Sequence, residues 1–332
     1  MLGKRIGVLL GGDSPERAVS IATGQAVLTT LLEAGHDAVA IYADGDLDLG
    51  LRQARVEIAF LALHGRGVAG PIQGLLESLG IPYTGSSLGA AALAADKLKS
   101  KELMRLHNLA TPPYYCHLRG AGRPSEQHGA FGYPCVAKPR SGGSGIGVSL
   151  IRGPEELDAA IERALRLDDE VLVERFVAGR EIQIAILDGM VLGAAEVLCE
   201  GGGASPRALP RRAGVMLPPR LASERLSVLY TQALRAHELL GCDGLTRVDL
   251  LVPDHGHEGN ETLLEVNACP ELAPHASVPK IAHAAGWSFT QLVERVLAGA
   301  HSGGRRSRSS RPSERRPWLL GTRRSALPTE RH

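Results

Sequence analysis

Two hydrophobic periods alternate along the chain. Lys4–Leu10 is a short apolar run that stops at Gly11-Gly12, and from Pro15 to Leu32 the apolar positions recur at helical spacing, with Pro15 near the first turn. His36–Tyr42 and Glu57–Leu63 read as further strands, Pro71–Leu79 as a helix and Ile81–Tyr83 as a short strand. Strands alternating with helices predict an open parallel α/β sheet over about the first 85 residues. Beyond it the pattern predicts a helix over Gly89–His107, then a hairpin whose strands, Pro134–Pro139 and Val148–Ile151, flank a glycine-rich tip at Ser141–Gly147. Pro154–Leu165 reads as a helix, and Val171–Phe176, Glu181–Leu187 and Met190–Val197 read as strands. Gly201–Pro219, rich in Gly, Pro and Arg, reads as a loop, and Leu221–Leu240 as a long helix. Leu245–Val252 and Thr262–Val266 read as paired strands around a turn at Asp254–Asn260, and Phe289–Leu297 is the last predicted helix.

With 332 residues, 44% of them hydrophobic and 22% charged, the chain is long enough for two or three packed domains. Its five cysteines are scattered, odd in number and without zinc or redox spacing, which points to a reducing, cytoplasmic compartment. The basic, apolar N-terminus is too short for a secretory signal, and no uninterrupted apolar stretch is long enough to span a bilayer. Charge is unevenly placed. Nine Arg and two Glu give residues 301–332 a net of +7, which leaves −6 on residues 1–300 of a chain whose total is +1. The tail's Ser, Arg, Pro and Gly predict disorder. Its charge is the sole feature pointing to nucleic acid, so no specific nucleic-acid partner is expected.

The strongest constellation lies near the C-terminal end, where TRVDLLV is followed by LLEVNACP. Period two puts Arg247 and Asp249 on one face of a strand, and Glu265 and Asn267 on one face of its partner. Two carboxylates and an amide oxygen make a hard-oxygen patch of the kind Mg²⁺ prefers, with waters and nucleotide phosphates completing the shell. Arg247 beside them would neutralise charge growing on a transferring phosphoryl group or a tetrahedral oxyanion. Lys138, on a strand just before the glycine loop, can reach phosphate oxygens held under the loop's N–H groups. The loop is not a Walker A loop, because it lacks a Gly-Lys-Ser/Thr ending. Glu174 and Glu181 flank an apolar strand end suited to a purine edge, where they would accept from an exocyclic amine and from ribose hydroxyls. Glu16 in a first helical turn can grip a substrate ammonium, and His64 lies at a strand's C-terminal edge, where ligands bind in open α/β sheets. By residue type alone, Lys97 equally suits a solvated helix face, Glu174 and Glu181 two exposed acids, Glu16 a helix-dipole complement and His64 a core histidine.

GGDSPERAVS, LHGRG, IQGLLESLGIPYTGS, DKLKSK, KPRSGGSGIGV, LVERFVAGREI, GLTRVDLL and LLEVNACP, in that order over roughly residues 4–298, resemble the D-alanine–D-alanine ligases of the ATP-grasp superfamily. The resemblance implies a three-domain α/β (α+β) architecture with ATP between the central and C-terminal domains. The expected division is 1–88 for an N-terminal open parallel sheet, 89–180 for a central subdomain with the lid loop, 181–300 for a C-terminal subdomain with the metal site, and 301–332 for a basic tail. It further implies that ATP phosphorylates one D-alanine's carboxylate and that a second D-alanine's amine attacks the acyl-phosphate, as in peptidoglycan synthesis. By position, Lys97, Lys138, Ser144, Glu174 and Glu181 would hold ATP. Asp249, Glu265 and Asn267 would hold two Mg²⁺ ions, with Mn²⁺ as an acceptable substitute, and Arg247 would stabilise the transition state. Glu16 would bind the first substrate's ammonium with His64 near its carboxylate, and Ser144 would join the phosphate-covering loop to Glu16. A homodimer is also implied.

The departures from the family pattern concentrate at the amino-acid end. Val68-Ala69 replaces two acids, and Arg207-Ala208 falls near the family's Lys-Tyr pair. Glu271 replaces a glycine near the oxyanion. Ala276 replaces the serine that binds the second substrate's carboxylate, and Ser277 next to it is the residue expected to bind that substrate instead. These favour an alternative, an ATP-grasp ligase joining other amino acids or carboxylates in specialised metabolism. A third reading, a nucleotide-binding module without turnover, is disfavoured because Arg247 and all three metal ligands are retained.

Overall fold

The structure, a computed structural model, describes residues 3–65, 69–199, 212–253 and 261–303. The predicted turn at Asp254–Asn260, Val68, Arg207-Ala208 and the tail beyond Gly303 lie outside the described residues.

Three parallel strands, β1 (Ile6–Leu10), β2 (Ala38–Tyr42) and β3 (Ile58–Leu61), form a sheet ordered β2-β1-β3. Helices α1 (Arg17–Glu33), α2 (Leu47–Gln53) and α3 (Pro71–Ser78) connect and cover them. Alternate residues serve different cores: Ile6, Val8 and Leu10 face α1, whereas Leu9 packs with Leu47 and Leu51 of α2. A sheet buried on both faces reads as a near-continuous apolar run, which is why this part was legible. The predicted strand Ile81–Tyr83 is reduced to one parallel bridge, Ala59 with Tyr83. Tyr83 also forms an antiparallel bridge with His301, so the chain joins the fold one residue beyond the boundary expected for a disordered tail.

The predicted helix Gly89–His107 is two helices, α4 (Leu88–Ala95) and α5 (Lys97–Leu106). Asp96 between them is extended, and its carboxylate accepts from the Lys99 amide at 3.0 Å, capping α5. A capping aspartate starts a helix as readily as a terminus ends one. Strands β4 (Tyr114–Leu118), β5 (Cys135–Pro139), β6 (Ser149–Ile151) and β7 (Glu170–Arg175) form an antiparallel sheet ordered β4-β7-β5-β6, covered by α7 (Pro154–Leu165), with the short α6 (Pro124–His128) before β5. The hairpin β5–β6 with its glycine-rich tip is as predicted.

The third sheet, ordered β10-β9-β8-β11-β12, comprises β8 (Arg180–Leu187), β9 (Met190–Cys199), β10 (Arg212–Met216), β11 (Leu245–Val252) and β12 (Thr262–Asn267). Part of the predicted loop Gly201–Pro219 is therefore a strand, because β9 presents a long edge that Arg212–Met216 pairs with. Helix α8 (Ser223–Leu239) covers one face, and α9 (Ser277–Ala284) and α10 (Phe289–Ala298) cover part of the other. Strand β8 divides its residues between them: Ile182, Ile184 and Ile186 pack with α8, and Ala185 and Leu187 with α9 and α10. Because α10 also packs against α1, the first and third sheets share one core.

Gly24 marks how close α1 lies to the first sheet: a Cβ there would be 2.6 Å from the Leu10 Cβ. Gly24→Ala should lose about 1–2 kcal/mol in urea unfolding, overpacking outweighing the gain in helix propensity. Unchanged stability would mean that α1 shifts freely on the sheet.

Candidate active site

Strands β11 and β12 carry the charged wall. Val248, Leu250 and Val252 point into the core under α8, so Arg247, Asp249 and Leu251 point the other way, into a cavity between the second and third sheets. Arg247 lies opposite Asn267 and Asp249 opposite Glu265. A bulge follows: Leu250 pairs with Leu263, so Leu264 is an extra residue and both it and Glu265 line the cavity. The Arg247 guanidinium donates to Asp249 Oδ1 at 2.7 Å and Oδ2 at 2.8 Å, and lies 3.9 Å from Glu265 Oε1. Asn267 Nδ2 donates to Glu265 Oε1 at 3.3 Å. Burial alone would lower the Arg247 pKa, but Asp249, Glu265 and Glu181 raise it. Burial alone would raise Glu265, but Lys97, Arg247 and Lys138 bring it below the usual carboxylate range. Gln183, which sequence reasoning passed over, lies opposite Asp249 on β8 and donates to Glu181 at 3.1 Å and to Asp249 at 3.4 Å. Its only sequence signal was the period it shares with Glu181.

The opposite wall comes from β5, β7 and α5. Lys138 Nζ lies 2.7 Å from Glu174 Oε1, and Lys101, fully buried one helical turn beyond Lys97, lies 2.9 Å from the same oxygen. Lys101 was also missed, although DKLKSK puts Lys97 and Lys101 four residues apart on one helix face. Lys97 Nζ donates to the Gly142 carbonyl oxygen, and burial lowers its pKa against the pull of Glu265. Below this wall Arg140 donates to Asp96 and Glu170, tying the start of α5 to the end of β5.

The first sheet closes one end. Ser144, on the lid with φ +53°, donates to Glu16 Oε1 at 2.6 Å, and a Cβ at Gly143 would come within 3.0 Å of the same oxygen. Glycine at that point lets the lid backbone approach the carboxylate. His64 is buried, with Nε2 3.3 Å from Thr23 Oγ1. Burial and the Arg247 charge push its pKa down to about 4, against a hydrogen bond with the Cys269 backbone.

The cavity has a volume of about 240 Å³ and is partly open to solvent. It brings together Glu16, His64, Lys97, Lys138, Ser144, Glu174, Glu181, Arg247, Asp249, Glu265 and Asn267. Ser277 is not in its wall; it is the buried first residue of α9. Glu271 is in the wall, 2.9 Å from His275, and Ala276 is the α9 N-cap. Among the described residues no group of three His, Cys, Asp or Glu side chains could hold a metal. Asp249, Glu265 and Asn267 thus offer a partial, all-oxygen shell. That fits Mg²⁺ or Mn²⁺ completed by waters and phosphate oxygens, rather than a metal held by protein alone. Among the described residues no helix is long and apolar enough to cross a membrane.

The family model for the D-ala D-ala ligase C-terminus matches residues 103–298. The chain is 44% identical over 301 residues to a D-alanine–D-alanine ligase of Geobacter sulfurreducens, covering 89% of this chain and 94% of that one. It is 42% identical to one of Syntrophotalea carbinolica, covering 90% and 96%. Among solved structures it resembles the ATP complex of the Bacillus anthracis D-alanine–D-alanine ligase, with a TM-score of 0.77, 30% identity and coverage of 90% and 97%. It also resembles the VanG D-Ala:D-Ser ligase of Enterococcus faecalis, with a TM-score of 0.76, 26% identity and coverage of 89% and 98%.

The His64 shift gives a pH test. Its folded pKa of about 4 lies below the ordinary 6.5, so the unfolded chain binds the proton first as pH falls. His64 therefore contributes stability that is present above pH 6.5 and lost as pH falls toward 4, about 3 kcal/mol over that window. In urea unfolding across the window, His64→Gln should lose less stability than the parent by about that amount. Parallel losses would show that His64 is not the group responsible.

Proposed function

The chain belongs to the D-alanine–D-alanine ligase family, and on that premise we propose that it joins the carboxyl group of one D-alanine to the amine of a second at the expense of ATP, for peptidoglycan synthesis. The observation that supports this reading is the cavity itself, where Arg247, Asp249, Glu265 and Asn267 on two paired strands face Lys97 and Lys138. A carboxylate is a poor electrophile, and transfer of the terminal phosphoryl group gives it a phosphate leaving group. The second amine then attacks the acyl carbon, the C–N bond forms, the amine sheds its proton and inorganic phosphate departs. Water must be kept out, or the acyl-phosphate hydrolyses.

We assign roles by position. Lys97 and Lys138 bind phosphate oxygens, and Ser144 holds the lid over them. Glu174 accepts from the base's amino group and Glu181 from ribose hydroxyls. Glu16 takes the first substrate's ammonium, and neutral His64 lies near its carboxylate. Arg247 balances charge that grows as the phosphoryl group moves and the tetrahedral centre forms. Asp249, Glu265 and Asn267 would hold two Mg²⁺ ions, which when bound neutralise phosphate charge. The three spans 1–88, 89–180 and 181–300 act as domains around this site, in the cytoplasm and in a homodimer. Light scattering of the purified chain tests the last point.

One observation favours a second reading, a related ligase for another substrate pair: the Glu271 carboxylate lines the cavity and Ser277 does not. Phosphate release with ATP, Mg²⁺ and D-alanine, beside other D- and L-amino acids and with product mass, separates the two. D-alanyl-D-alanine supports the first, and turnover only with another pair supports the second.

Asp249→Ala and Glu265→Ala should abolish turnover in chains that still fold, and full activity in either would refute the metal assignment. Arg247→Ala should lower kcat on the order of 10²–10³-fold while ATP affinity changes far less, because its contact strengthens at the transition state. An equal loss in both would assign Arg247 to ground-state binding.

A further inference from the structure

Lys101 takes no part in the roles assigned above, yet it is fully buried on α5. A buried ammonium is expensive unless it is paired and hydrogen-bonded. Here it is both: its Nζ lies 2.9 Å from Glu174 Oε1 and donates to Thr111 Oγ1 at 2.6 Å. Lys138 reaches the same Glu174 oxygen at 2.7 Å. Oε1 thus forms ion pairs with two ammonium groups, neither of them in hydrogen-bond geometry, and among the described residues no hydrogen bond to the other oxygen, Oε2, is found. Glu174 lines the cavity beside the apolar side chains Phe176, Val177 and Leu251.

Burial would raise the Glu174 pKa, but Lys101 and Lys138 hold it below the usual carboxylate range. Burial lowers Lys101 to about 8, and Lys138 offsets part of the attraction of Glu174 for it. Glu174 is therefore an ionised acceptor in an apolar slot. Lys138 is also the lysine assigned to phosphate. When phosphate draws Lys138 away, Lys101 keeps Glu174 from being left as an unpaired buried charge.

We propose that Lys101 is a positioning residue: it holds Glu174 by Oε1, leaves Oε2 facing the base of the bound nucleotide, and so sets the preference for a 6-amino over a 6-oxo purine triphosphate. An exocyclic amine donates to a fixed carboxylate, whereas a 6-oxo oxygen meets it lone pair to lone pair. This rests on the reading of Glu174 as the acceptor for the base.

The test compares the full-length chain with Lys101→Met, Lys101→Arg, Thr111→Val and Glu174→Gln. Phosphate release is measured with the best amino-acid substrate while ATP or inosine triphosphate is varied, and folding is checked by circular dichroism. Lys101→Met should raise KM for ATP about tenfold, leave kcat within about threefold, and lower the ATP-over-ITP ratio of kcat/KM about tenfold. Lys101→Arg should recover most of that ratio. If Lys101→Met does not fold, Thr111→Val carries the test through a smaller rise in KM and fall in the ratio; an unchanged ratio there overturns the proposal. A folded Lys101→Met with an unchanged ratio, or with kcat alone reduced, also overturns it. Glu174→Gln separates the two levels. If its ratio is unchanged, the reading of Glu174 has failed and the proposal with it. A fall in Glu174→Gln without one in Lys101→Met sinks the role of Lys101 alone.

Discussion

Charge is buried beside charge at the centre of this protein. Lys97, Lys101 and Lys138 come from a helix and a strand, Glu174 from a neighbouring strand, and Arg247, Asp249 and Glu265 from a second sheet. All but Glu265 and Arg247 are almost wholly withdrawn from water. Removing an ion from water costs several kcal/mol, and breaking one partner out of a buried pair strands the other. Arg247 and Asp249 pair within β11, but Lys101 of α5 and Lys138 of β5 find their carboxylate on β7. Helix α5 must therefore meet the four-stranded sheet for Lys101 to be paired, and Glu265 of the five-stranded sheet offsets the burial of Lys97; the cavity forms where the three meet. Breaking the helix at Asp96 serves this end, because it starts α5 where Lys97 and Lys101 both point inward.

The lid answers the chemical need that follows. A glycine-rich hairpin tip is held to the rest of the molecule by three polar contacts, Ser144 to Glu16, Lys97 to the Gly142 carbonyl and the Ser141 amide to Asp168. One tie reaches a residue 128 positions away in the first sheet. The contacts place the lid in the cavity wall, where it can shield a water-sensitive intermediate. The Ser144 and Lys97 ties use groups proposed to bind the substrates, and on that proposal lid position and ligand binding share the same atoms.

The nucleotide end and the amino-acid end of the cavity differ in how closely they follow the family. The lysines, acids and arginine expected around ATP all line one space. At the other end Glu271 projects into the wall with His275 beside it, Ala276 caps α9, and Ser277 is turned into the fold. On the proposed roles, the charges for phosphoryl transfer sit on strands and on the first turn of α5. Substrate identity is read by a few side chains on loops and helix starts, where single replacements suffice to alter the pocket.

Hydrophobic period alone determined most of the elements, because a strand or helix with one or two buried faces must show that face in its spacing. It also determined that Arg247 shares a face with Asp249 and Glu265 with Asn267. Five elements of eight residues or fewer, α2, β4, α6, β10 and α9, were not legible, although α2 buries Leu47 and Leu51 and α9 buries Val278 and Ile281. Nor was the break at Asp96, where one side-chain cap decides between one helix and two. Spacing cannot say which distant charges meet. Lys101 and Gln183 looked like ordinary polar residues of a helix and a strand, and only packing of separate sheets brought them against Glu174 and Asp249. The bulge that turns both Leu264 and Glu265 to the cavity, the turning away of Ser277 and the pairing of His301 with Tyr83 were likewise decided by tertiary structure. Each depends on a partner strand or helix far away in the chain, and no local pattern encodes it.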